Sequence, residues 1–502
     1  MATETETKYE PGDGASLPDL VSLSKVRSTR GPDREQLEAQ YYDTADLRLL
    51  RSGITLRRRK GGHDAGWHLK LPAGPDTRQE IRLPLSRGGR RVPAELASLV
   101  KARSRGERLV PVATIATLRE TITLLDSDGE SLAEVADDHV HATATVGEFA
   151  EPAEWREIEV ELTGGGRDLL DEVDNLLRRA GMRRSGRSAK LEQVLGSQLA
   201  ERPAPPGVDA TAVDVVAGYL REHADSLMAL DPMVRRREQD AVHKMRVATR
   251  RLRSTLRSFG TVAATADSQH LAKELKWLGM VLGEEHDAEV QAGRLREQVR
   301  ATGTDVLLGP VQARIEGHVA KAAATSHAAV TAALNSGRYY ALLDDLEAFI
   351  FRPGTGPDAG RRASVILPTA VGRSYRKTRR RMGAAIQEPP GPSRDAALHS
   401  ARKAAKRTRY AAEASIPIGG KQAQRLAGQM KRLQSVLGDH HDTVVGRQVS
   451  RMLGIAAQLA GEEAFTYGLF YERDSCRAEG LDGQVRKTWQ RARKRKYRFW
   501  ST

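Results

Sequence analysis

The chain has 502 residues, with 80 Lys and Arg against 65 Asp and Glu, a formal charge of +15, and 39% hydrophobic residues. Its length is several times the usual domain size of about 100–150 residues and predicts two or three domains. A mean hydropathy of −0.50 and the lack of any run of about 18 apolar residues argue against a membrane-spanning helix or a membrane partner. The lone Cys476 excludes an intrachain disulfide, and the opening MATETETKYEP has no apolar secretory stretch. A reducing, cytoplasmic setting is expected.

The charge is unevenly placed. Residues 1–200 carry 30 Lys and Arg against 33 Asp and Glu, which leaves 50 against 32, a balance of +18, for residues 201–502. Nine of the thirteen histidines share that second part. A basic excess confined to one region predicts a polyanionic partner there, with simple solubility as the plain alternative.

Taken in chain order, the first 200 residues read as β. Period-2 segments at 4–10, 37–44, 53–60, 66–72, 78–85, 118–125, 131–138 and 154–163 are broken by Gly- and Asp-rich turns, and eight such strands suffice to close a barrel. Short helices are predicted at 93–101 and 167–180. A Pro-rich linker at 201–208 follows, and residues 209–502 read as helical. Further breaks at 351–360 and 387–393 divide this part into halves of about 209–350 and 363–502. The helical part is duplicated: AVHKMRVATRRLRSTLRSF (241–259) matches ALHSARKAAKRTRYAAEAS (397–415), and LKWLGMVLGEEHDAEV (275–290) matches MKRLQSVLGDHHDTVV (430–445).

In the β part, Glu4, Glu6 and Lys8 share one strand face. Arg57 and Arg59 share another, as do Arg78, Glu80 and Arg82, and Glu157, Glu159 and Glu161 form a further row. Within a barrel such rows line the interior; on single strands they are as well explained by solvent. Carboxylates hold a hard divalent cation, while Arg and Lys clamp phosphate oxygens. The charged rows therefore predict an anion-binding lumen.

ETETK (4–8) resembles the E-x-E-x-K signature of the CYTH domain, the triphosphate tunnel metalloenzymes. YYDTADLRLLRSGITLRRRK, WHLKL, RETI, EIEVELTGG and RSAKLEQVL extend the resemblance over residues 1–200. It implies an eight-stranded antiparallel tunnel that binds triphosphate compounds with Mg2+ or Mn2+. By this resemblance Glu4, Glu6, Glu159 and Glu161 are the metal ligands and, with Lys8, the catalytic set. Lys8, Arg57, Arg59, Lys70, Arg119, Arg187 and Lys190 are the triphosphate-binding set, with Glu134 as a further acidic residue. Members of the family cleave inorganic or thiamine triphosphate or cyclise ATP, and the motif does not choose among them.

In the helical part His243, Arg246, Arg250, Arg253 and Arg257 line one helix face, beside an apolar stripe of Val242, Met245, Leu252, Leu256 and Phe259. His399, Arg402, Lys406 and Arg409 repeat the cationic stripe. Glu partners at i+4 are missing from it, which sets it apart from a merely solvated face. This repeat, with the paired L-G-x-x-H-D segments (282–287 and 437–442), resembles the CHAD domain over about 209–500. The resemblance implies polyphosphate binding. His286–Asp287 and His441–Asp442 read as helix-end caps or structural pairs in preference to metal ligands. Arg373, Lys377, Arg380 and Arg381 add a second basic stripe, and the tail RKTWQRARKRKYRFW a nonspecific phosphate or nucleic-acid contact.

The fold expected is therefore α+β and multidomain: an eight-stranded antiparallel tunnel at 1–200, then an all-α bundle with internal duplication at 209–502. The function expected is metal-dependent hydrolysis of inorganic triphosphate or short polyphosphate beside a polyphosphate-binding module, in the cytoplasm or at polyphosphate granules. The alternatives are a non-catalytic polyphosphate binder, an adenylate cyclase, or a nucleic-acid binder.

Overall fold

The computed structural model describes the chain apart from residues 1, 13, 75, 86–90, 147–151, 188, 200–206, 208, 264, 354–355 and 498–502. The expected linker, save residue 207, and the end of the basic tail thus lie outside the described residues. Two units separate, Met1–Pro203 and Ala204–Thr502.

The first unit is a barrel. Its strands are β1 (Ala2–Pro11), β2 (Ser28–Asp43), β3 (Thr55–Lys60), β4 (Gly66–Gly74), β5 (Thr77–Leu83), β6 (Val110–Leu125), β7 (Ser131–Ala144), β8 (Ala153–Leu162) and the short β9 (Met182–Arg184). Helices α1 (Arg48–Arg51), α2 (Ala94–Leu99), α3 (Lys101–Ser104), α4 (Arg167–Arg179) and α5 (Lys190–Leu195) connect or flank them. The antiparallel order β5-β4-β3-β2-β6-β7-β8-β1 closes on itself because β1 also pairs β5, while β9 extends β1.

Alternation decides which side chains face in. Along β1 the charges of Glu4, Glu6 and Lys8 turn to the lumen, while Tyr9 points out. There it joins Ile158 and Val160 under Leu169, Val173 and Leu177 of α4. On another flank Leu56, Trp67 and Leu69 are covered by Leu96 and Leu99 of α2. Each such burial is worth roughly 1.5–3 kcal/mol, so the helices offset an otherwise wet apolar exterior.

The strands that most outrun the expected segments are β2 and β6, with 16 residues each, and β7, with 14. The RGPD of β2 has the composition of a turn yet lies within the strand. It forms a register shift between Arg30 and Asp33 and pairing with β6 resumes beyond it, with Gly31 taking a positive φ of 107°. At three residues, β9 is too short to show a period.

The second unit runs α6 (Ala212–Arg235), α7 (Ala241–Ser258), α8 (Ala266–Arg300), α9 (Val311–Leu334), α10 (Gly337–Phe351), α11 (Ala363–Gln387), α12 (Pro392–Ala414), α13 (Ile416–Leu459) and α14 (Phe465–Ala492). The duplicated segments are α7–α8 and α12–α13. The stripe Val242, Met245, Leu252, Leu256 and Phe259 is buried, as its 3.6-residue spacing requires. One expectation is corrected here. His286–Asp287 and His441–Asp442 lie in the interior of α8 and α13, so they cap nothing. Among the described residues no helix is long and apolar enough to cross a membrane.

Candidate functional site

The barrel lumen is a cavity of about 400 Å3. It brings together Glu4, Glu6, Lys8, Arg57, Arg59, Lys70, Arg119, Glu134, Glu159, Glu161 and Lys190. Arg187 is not among them: it is exposed, against Gln193 and Glu10.

Cross-strand register sorts these charges. Glu6 on β1 lies opposite Glu161 on β8, and Glu161 opposite Glu134 on β7, so three carboxylates stand abreast on the inner face. Among the described residues neither Glu134 nor Glu161 has a hydrogen-bonded or ion-paired partner. Burial first, then the charges of Glu4, Glu6 and Glu134, push the Glu161 carboxyl up to about 7. Burial also works against ionised Glu6, but Lys8, Lys70, Arg78 and Lys190 outweigh it and hold Glu6 well below the usual range. Glu4 is held by Lys70 and by Arg82 at 3.1 Å.

Glu159 belongs to a different cluster. Together with Asp138 and Glu157 it offers three oxygens within 4.8 Å of one another, but the Lys190 ammonium already fills the space. It stands 2.7 Å from Asp138 and 2.8 Å from both Glu157 and Glu159. Lys8 and Arg119 also pair with Glu159. Glu157 is held at about 2, because Lys190 and Lys8 overcome the upward effect of burial. Among the described residues Glu134 and Glu161 lack cationic partners and Glu6 has Arg78 at 3.8 Å, so a cation is fitted by their row and not by the Asp138 cluster. Asp138 escaped the sequence reading although it shares strand parity with Glu134 in SLAEVADD.

The remaining wall is cationic. Arg57 hydrogen-bonds the Tyr41 hydroxyl at 3.3 Å, Arg59 pairs with Asp64, and the buried Nε of each lacks a hydrogen-bond partner among the described residues. Burial, then Arg57 and Arg119, lower Arg59 to about 9. Buried cations with open donors are what an oxyanion satisfies.

The helical unit has its own cleft, of about 720 Å3, in which the two copies of the repeat meet. His243, Arg246, Arg250 and Arg253 of α7 face it together with His399, Arg402 and Lys406 of α12. His243 Nδ1 lies 3.0 Å from His286 Nε2, and the rings of His399 and His441 stand 4.2 Å apart. Arg246 pairs with Asp287 at 2.8 Å. A Cβ on Gly283 would come 3.4 Å from Arg246, and one on Gly438 3.1 Å from Arg402. The L-G-x-x-H-D motif now has a physical reading: Leu282 and Leu437 are buried, the glycine admits the arginine, and the histidine meets its counterpart on the neighbouring helix.

Arg409, Arg373 and Lys377 do not line the cleft. Arg409 has an i+4 partner after all, bonding Glu413 at 2.7 Å, which turns it away. Lys377 sits among Arg407, Arg381, Arg257 and Arg380, whose charges lower its pKa.

Two family models match the chain, the CYTH domain over residues 2–190 and the CHAD domain over 218–451. Two uncharacterized proteins of Mycobacterium tuberculosis, from strains CDC 1551 / Oshkosh and ATCC 25618 / H37Rv, are each 37% identical over 98% of this chain and 97% of their own length. Among solved structures, PptA from Streptomyces chartreusis is 20% identical over 56% of this chain and all of its own, with a TM-score of 0.47. The CHAD domain of the plant Ricinus communis is 23% identical over 58% of this chain and 95% of its own, with a TM-score of 0.46. By order, span and motif, the chain belongs to the CYTH–CHAD proteins, with a tunnel-enzyme domain of the CYTH family followed by a CHAD domain.

Proposed function

We propose that the barrel unit hydrolyses a terminal phosphoanhydride bond of inorganic triphosphate or a related short polyphosphate with a divalent cation, and that the helical unit binds polyphosphate. The observation that carries this reading is the division of the lumen. Among the described residues, Glu134 and Glu161, carboxylates without cationic partners beside Glu6, share it with arginines whose buried Nε donors are open.

Glu6, Glu134 and Glu161, with Glu4 beside them on β1, would hold Mg2+ or Mn2+. When bound, such an ion supplies neutralisation of phosphoryl charge and activation of water. The chain's own residues do the rest. Arg57, Arg59 and Arg119 bind and orient phosphate oxygens, and Lys8 and Lys70 bring further positive charge to the lumen. Lys190 and Asp138 fix Arg119 and Glu159 in place. Little covalent work falls to the protein in such a transfer, so positioning and charge are the main requirements.

The test is phosphate release from triphosphate, long polyphosphate, ATP and thiamine triphosphate, each with Mg2+ and with Mn2+. Release from triphosphate that is lost on chelation and in Glu4→Gln/Glu6→Gln, with the fold intact, is expected. Binding without turnover of any substrate would replace the enzyme with a polyphosphate receptor. Wild-type rates in the double variant would refute the metal assignment.

A further inference from the structure

We propose that polyanion binding in the cleft of the helical unit is coupled to proton uptake by its two histidine pairs, His243–His286 and His399–His441. The inference rests on the reading that this cleft takes polyphosphate, and it adds that the cleft is charged by its ligand.

The geometry of the pairs is the starting point. With Nδ1 of His243 and Nε2 of His286 3.0 Å apart, one nitrogen donates and the other must accept, so this pair holds at most one net proton while the contact lasts. Its rings lie 4.4 Å apart, and those of His399 and His441 4.2 Å. Among the described residues the buried Nδ1 atoms of His286 and His399 have no hydrogen-bond partner, and neither do Nε of Arg253 and of Arg402. Each pair therefore has an open nitrogen at a place where cations crowd.

The surroundings decide the charge state. Facing the first pair are Arg246, Arg250 and Lys406, with Asp240, Asp287 and, 3.9 Å from His286, Glu289 on the acidic side. Facing the second are Arg402, Lys403 and Lys406 against Asp442 and Asp287. Burial first, then the partner histidine and the neighbouring cations, push His286 and His399 down to about 4. His243 and His441 are lowered too. Burial, Arg250, Arg402 and Arg246 likewise bring Lys406 to about 6. At neutral pH the cleft thus sets neutral bases among fixed guanidinium groups.

A chain of phosphates reverses the local field. Its charges cancel the repulsion that keeps the bases neutral, so their pKa values rise on binding and protons enter from solvent. The sign follows: affinity increases as pH falls, by about tenfold per pH unit for each proton fully taken up. A cleft built only of Arg would show no such slope, because guanidinium stays charged throughout.

The test is isothermal titration calorimetry of the full chain with long-chain polyphosphate at pH 7, in buffers of differing ionisation enthalpy. Long chains keep the titrating terminal phosphates few. The expected result is uptake of at least one proton per bound chain, with affinity rising about tenfold or more from pH 7.5 to pH 6. His286→Gln/His441→Gln and, independently, His243→Asn/His399→Asn should each lose more than half of the uptake and flatten the pH dependence. Tight binding with no uptake overturns the coupling and leaves the polyphosphate reading standing. Unchanged uptake in both variants places the protons elsewhere and also overturns it. No binding at any pH overturns the underlying reading and the coupling together.

Discussion

Lys190 opens α5 and is 7% exposed, with its ammonium 2.7–2.8 Å from oxygens of Asp138, Glu157 and Glu159. Lys190→Met keeps the length and removes the charge. Breaking a buried ion pair by deleting one partner costs about 3–5 kcal/mol, because the other charge is left desolvated. Here Arg119 remains on Asp138 and Glu159, while Glu157 keeps Lys8 at 3.6 Å and the Trp155 indole N–H at 2.7 Å. A loss near the lower limit, about 3 kcal/mol, is therefore expected at pH 7.5.

The pH dependence has a definite sign. Glu157 is depressed from 4.5 to about 2, so its contribution is present above about pH 4.5 and is lost as pH falls toward 2. The deficit of the variant should be full at pH 7.5 and should narrow below pH 4.5, as its uncompensated carboxylates take up protons. Urea unfolding of the full chain at pH 7.5 and pH 4 measures this, with amide exchange in β7 and β8 as the local readout. A loss of about 3 kcal/mol corresponds to roughly two orders of magnitude in exchange. A deficit under about 1 kcal/mol at pH 7.5, or one that is the same at both pH values, would refute the reasoning.

Mn2+ should raise the unfolding temperature of the full chain, since a ligand at about a hundred times its Kd adds about 2.7 kcal/mol, and a chelator should reverse the gain. Glu134→Gln/Glu161→Gln should lose most of that shift; an undiminished shift places the ion elsewhere. Gly438→Ala puts a Cβ 3.1 Å from the Arg402 guanidinium in a helix interior where Ala is favoured by about 1 kcal/mol. Stability should hold or rise while polyphosphate affinity drops several-fold, and the opposite pattern in unfolding and titration data would contradict the motif reading. Replacing Arg246, Arg250, Arg402 and Lys406 with Gln should weaken polyphosphate binding and reduce its salt dependence without melting the bundle. Unchanged affinity in that variant would remove the repeated stripe as the binding surface.

The features legible from the residues alone are periodic or ordered along the chain. Alternation placed Glu4, Glu6 and Lys8 on one face of β1, and the 3.6-residue period separated Val242 and Met245 from His243 and Arg246. The order of the motifs, with the duplicated pair, marked a charged barrel followed by a repeated helical module. Which charges meet is set by the packed fold. Lys190 and Arg187 are three residues apart, yet one fills the Asp138 cluster and the other is exposed. Lys406 and Arg409 are likewise three apart, yet one faces the cleft and the other bonds Glu413. The Glu6–Glu161–Glu134 row exists only through the registers of β1, β8 and β7, and the histidine pairs only through the packing of α7 on α8 and α12 on α13. Periodicity is a local property of the backbone. Charge compensation depends on distances of a few ångströms between residues such as Lys8 and Glu159, 151 positions apart, and only the closed fold sets those distances.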